Sequence, residues 1–86
     1  MADIPENPRG AVLAAFDSVN LINGIVAGTG MVNESLADRV STVERNVGHL
    51  NIMIEKDWFV EALIGTEEDD LTAAITDGEA YVAANS

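Results

Sequence analysis

The feature that most constrains this chain is a run of apolar residues at alternating spacings of four and three: Leu36, Val40, Val43, Val47, Leu50 and Ile54. That stepping is a heptad seam, with Val40, Val47 and Ile54 at a and Leu36, Val43 and Leu50 at d. A seam of about two residues in seven is narrower than the face a helix offers to a globular core, and it suits a partner helix. In a parallel pair Arg39 at g reaches Glu44 at the following e with opposite charge, and Asn46 faces Asn51 one heptad later. Such exposed contacts are worth only about 0–1 kcal/mol, but both agree with a parallel register. The expectation is a short parallel coiled coil in a homo-oligomer, with Leu36, Val40, Val43, Val47, Leu50 and Ile54 at the interface and Arg39 and Glu44 beside it. The competing reading makes the same stripe the buried face of one helix in a small monomeric bundle.

Length agrees with self-association. The chain has 86 residues and no cysteine. One domain of that size buries about 60% of its unfolded surface and is marginal without staples, and a disulfide is not available. Charge narrows the partners. Fifteen acidic residues stand against four basic ones, a net charge of −11, which opposes nucleic-acid phosphate and anionic membranes. An apolar content of 48% is too high for a disordered acidic tail. The N-terminus lacks the basic and apolar regions of a secretory signal. The apolar stretch from Ala11 to Val32 is interrupted by Asp17, Asn20 and Asn23, which argues against a membrane span.

Three helices are expected within one helical oligomerisation domain over residues 11–86, behind a flexible arm over residues 1–10. Pro5, Pro8 and Gly10 mark the arm, with Pro8 also able to open a helix. Val12, Phe16, Val19, Ile22 and Val26 then recur at helical spacing, and Gly28-Thr29-Gly30 ends that helix. Asn33 and Ser35 are good caps for the central helix, which is expected to run to Ile64, about 45 Å at 1.5 Å per residue. Past Ile54 the heptad fails. Trp58 and Phe59 enter on different faces, so the third helix, capped by Thr66 after Gly65, is expected to fold back on them through Leu71, Ala74, Ile75, Tyr81 and Val82. Trp58, Phe59 and Tyr81 form the expected aromatic cluster, and Gly78 reads as a weak point.

Little in the sequence suggests chemistry. His49 is the only histidine, and its heptad position c points it away from the seam. The run Glu67-Glu68-Asp69-Asp70 lacks the spacing of a calcium loop and suits the first turn of a helix. No enzyme activity, cofactor or metal site is expected.

The stretch Asn46 to Phe59, with its Asn-Val, His-Leu, Ile-Met and Lys-Asp-aromatic steps, resembles small proteins encoded among the tail and virion genes of tailed bacteriophages. An acidic link and an Ala-rich helix, Asp70-Leu71 to Tyr81, extend the resemblance over about the last 40 residues. It implies a structural role in the virion, at the tail, after synthesis in the host cytoplasm, with other virion proteins as partners and no catalytic residues to carry over. β-Branched a positions with Leu at d favour dimers, but Val43 at d weakens that preference. The three-fold symmetry common in phage fibres favours a trimer. The main alternative is a soluble acidic module or inhibitor that engages a basic protein; a self-contained three-helix adaptor is a third reading.

Overall fold

Proline at the first position of a helix gives up no bond, because the first amides of a helix have no internal acceptor. In the computed structural model, which describes residues 6–86, Pro8 opens α1 (Pro8–Ala27). The side chain of Asn7 caps it by accepting the Gly10 N–H at 3.0 Å. Of the arm expected over residues 1–10, residues 1–5 lie outside the described residues, and Pro8 to Gly10 are the first turn of this helix. Val12, Ala15, Val19, Ile22 and Ile25 form its buried face, and Gly28 at φ 86° ends it. By length and composition α1 could also cross a membrane, but here that buried face belongs to a helical core.

Ser35 caps α2 (Leu36–Ile54), accepting the Asp38 N–H at 3.1 Å. The expected continuation to Ile64 is corrected here. The helix stops at Ile54, Lys56 takes an extended conformation (φ −92°, ψ 117°), and a separate short helix, α3 (Asp57–Glu61), follows. Among the described residues, four helices therefore stand where three were expected. The reason is burial: the separate α3 carries Phe59 into the core, where it is fully buried. Burying a Phe side chain is worth about 1.5–3 kcal/mol, more than the roughly 0.5–1.5 kcal/mol net of a backbone hydrogen bond lost at the break. Trp58 stays half-buried, its ring edge-on to Phe59 at a centroid distance of 6.1 Å.

The last helix, α4 (Glu67–Asn85), buries Leu71, Ala74, Ile75 and Gly78. Thr66 precedes it, but its side chain caps no backbone amide and instead donates to Asp70 Oδ2 at 3.2 Å. Its main packing is along α2 and α1, and its Leu71, Ala74 and Ile75 share one core cluster with Phe59, against which Trp58, Tyr81 and Val82 pack. Most of the packing of α3 is on α1 and α2. Arg9 meets Glu67 near one end and Ile22 lies beside Gly78 further along, so α1 and α4 run the same way. α2 runs back against both. The core holds no polar or charged residue among those described.

At Gly78 of α4, side chains of α1 and α2 press close to the backbone. A Cβ built there would lie 2.5 Å from Val47 Cγ2 and 3.2 Å from both Ile22 Cγ2 and Val43 Cγ1. The glycine that looked like a weak point is a requirement of packing. Alanine is favoured over glycine in a helix by about 1 kcal/mol, but overpacking against stiff β-branched neighbours costs about 1–3 kcal/mol. Gly78→Ala is expected to lower the melting temperature, and adding Val47→Ala should recover part of the loss; thermal unfolding of both variants checks this.

Candidate interaction groove

On α2, Glu44, Val47, Gly48 and Asn51 are spaced to share one face, as are Glu79, Val82 and Ala83 on α4. The close contact at Gly78 holds the two helices together at Val47. Beside that contact, Gly48 has no side chain and Ala83 only a methyl group, so the crevice between the helices stays open. The result is a groove of about 360 Å³ lined by Glu44, Val47, Gly48, Asn51, Glu79, Val82 and Ala83. Its floor is apolar. Glu44 and Glu79 carry carboxylates on its two helices, both exposed, and no cation lines it. A Cβ at Gly48 would meet nothing within 4 Å.

The ion pair found among the described residues lies elsewhere. Arg9 grips Glu67 through two parallel bonds, Nη1 to Oε1 at 2.6 Å and Nη2 to Oε2 at 2.9 Å, and also donates to the Ala62 carbonyl at 2.7 Å. The Ile64 amide donates to the same carboxylate at 2.8 Å. This clamp ties the start of α1 to the α3–α4 turn. The Arg9 hydrogen bond first, then the Ile64 amide, hold the Glu67 carboxyl down to about 2 from an ordinary 4.5, with burial acting in the opposite direction. A carboxyl depressed on folding stabilises above its unfolded pKa, and that contribution is lost as pH falls through the folded one. The window here runs from about pH 4.5 down to about pH 2. In Arg9→Met the Glu67 carboxyl is expected to titrate closer to its ordinary value, so stability above pH 4.5 should fall and its loss between pH 4.5 and pH 2 should become shallower; carbon NMR of the side-chain carboxyl reads the first directly.

The residues expected from sequence are divided by the fold. Val43 and Leu50 are fully buried and Val47 is 7% exposed, all within a single chain. Val40 is half-buried, and the ends of the seam lie open, Leu36 at 44% and Ile54 at 37%. Arg39 and Glu44 are not paired within the chain. Arg39 is half-buried with its Nε unpartnered among the described residues, and Glu44 stands over the groove. Asn46 turns back to donate to the Thr42 carbonyl at 2.8 Å instead of facing outward. Trp58 and Phe59 meet edge-on, and Tyr81 packs from α4 against the same core cluster. His49 is exposed.

Sequence reasoning missed Gly48, Glu79 and Ala83 as a set, and it missed the Arg9–Glu67 clamp. Glycine in the middle of a helix was the available signal for the first. Nothing in the sequence links positions 58 residues apart. No family model, curated protein or solved structure matches the chain.

Proposed function

We propose that this chain is a non-catalytic structural subunit of a bacteriophage particle, at the tail, that joins virion proteins through its surface. What carries the joining role is the α2/α4 groove, an apolar crevice between two helices that the chain does not fill itself. Grooves of this form accept a helix from another protein. The particle context rests on the resemblance of residues 46–59. Neither nucleic acid nor membrane is among the proposed partners, since a net charge of −11 disfavours both.

Self-association, as a trimer or a dimer, is part of the same proposal, with one physical condition. Val43, Val47 and Leu50 are covered inside the chain, so a homo-oligomer built on this seam has only its exposed ends, Leu36 and Ile54, to use unless α4 is displaced. The second reading, an acidic module that captures a basic protein, is favoured by the two carboxylates over the groove. Mass spectrometry of gradient-purified particles is the test. A constant ratio of this chain to the major tail proteins is expected, and its absence from intact particles would sink the structural role. Sedimentation of the isolated protein reads the oligomeric state separately.

A further inference from the structure

Two helical glycines in this chain have opposite physical accounts. Gly78 is required, because three side chains occupy the space its Cβ would need. Gly48 sits mid-helix, where it weakens α2 relative to alanine, yet open space surrounds its Cβ position. Nothing within the chain makes use of it. What the missing side chain does is leave the α2/α4 groove open and let another backbone approach closely. The groove then has an apolar floor of Val47, Val82 and Ala83, with Glu44 on one helix and Glu79 on the other.

We infer that this groove docks a basic amphipathic helix from another protein, its aliphatic side chains on Gly48, Val82 and Ala83 and its Lys or Arg heads on Glu44 and Glu79. This rests on the reading of the chain as a docking subunit and names the chemistry of the partner. Long basic side chains suit such a site, because their methylene stems lie on apolar surface while the charged ends reach carboxylates. The chain has four basic residues, none lining the groove, and Arg9 is engaged by Glu67. The cations must come from outside. A second copy is a poor occupant, since each copy carries a net −11 and would bring further carboxylates toward Glu44 and Glu79.

The experiment is an amide NMR titration of the full chain with three synthetic helical peptides. All share leucines at i, i+4 and i+7 and differ only in having Lys, Gln or Glu at the flanking positions. With the Lys peptide, the largest shifts are expected at Glu44, Gly48, Asn51, Glu79 and Ala83, with affinity at least tenfold above that of the Gln peptide and no binding of the Glu peptide. Gly48→Leu fills the groove and should abolish these shifts while keeping helix content and raising the melting temperature. Glu44→Gln with Glu79→Gln should weaken the Lys peptide at least fivefold and flatten its salt dependence. Equal binding of the Lys and Gln peptides at these residues overturns the basic partner but leaves docking in place. Shifts as large at Glu67 to Asp70, or binding unaffected by Gly48→Leu, reduce the effect to diffuse attraction and overturn the site. Concentration-dependent shifts at the same residues without peptide assign the groove to a second copy and also overturn the proposal. Incorporation into particles is measured independently, so its failure is distinguishable from each of these.

Discussion

Val43→Asp is expected to unfold the isolated chain, whereas Leu36→Asp should leave its melting temperature within a few degrees of the parent. Both positions are d sites of one heptad pattern, and a seam facing a partner chain would treat them alike. The tertiary structure separates them: Val43 is fully buried by its own chain and Leu36 is 44% exposed. At Val43 the substitution removes about 1.5–3 kcal/mol of side-chain burial and adds about 1–3 kcal/mol or more for a buried polar group without a partner. The whole stability of a domain of 86 residues is about 4–13 kcal/mol at the usual 0.05–0.15 kcal/mol per residue. One carboxyl can therefore exhaust most of it. Leu36 is the first residue of α2, where an added aspartate gains from the helix dipole. Circular dichroism melts of the two variants decide the matter. If both stay folded and both only lower the sedimentation coefficient, the seam is an interface between chains.

The second large effect is at Phe59. With the side chain fully buried, Phe59→Ala should cost about 3–5 kcal/mol, which in a domain of this size is a drop in melting temperature on the order of 12–40 °C. Trp58→Ala is expected to cost less, since Trp58 is half-buried. The contrast is informative because α3 is only five residues long, too short to be stable on its own. Its place in the fold depends on Phe59 entering the core. Loss of Phe59 should also free the α2–α3 break, so amide hydrogen exchange from Lys56 to Ala62 is expected to rise well above that of α1. Equal exchange in parent and variant would show that the break is held by something other than this ring.

The pattern of the seam was legible because spacing is local. Residues three and four apart meet on a helix whatever surrounds it, so α2, its Ser35 cap and the end of α1 at Gly28 follow from short stretches of sequence. The failure of the heptad after Ile54 was legible for the same reason. Its consequence was not: a lost pattern does not reveal whether the helix continues with a different face or breaks. Burial of Phe59 decided for a break at Lys56, and that depends on where α1 and α2 leave room.

Self-covering of the seam is the largest difference between reading and fold. A heptad states that a helix has a narrow apolar stripe, and the physics of burial is indifferent to whether the cover comes from the same chain or another. Here Ile22 and Gly78 bring α1 and α4 against Val43 and Val47. Gly78 could have hinted at this, since it continues the stripe of Leu71, Ala74 and Ile75 at helical spacing. Composition and periodicity alone determined an acidic, all-helical chain, the location of its longest apolar stripe and most helix boundaries, because each depends on neighbours within a turn or two. Only the tertiary structure decided that α4 covers that stripe, that Arg9 clamps Glu67, and that Gly48 opens a groove while Gly78 closes a contact. Those outcomes depend on distances between residues far apart in sequence, which become definite only when all four helices are packed together.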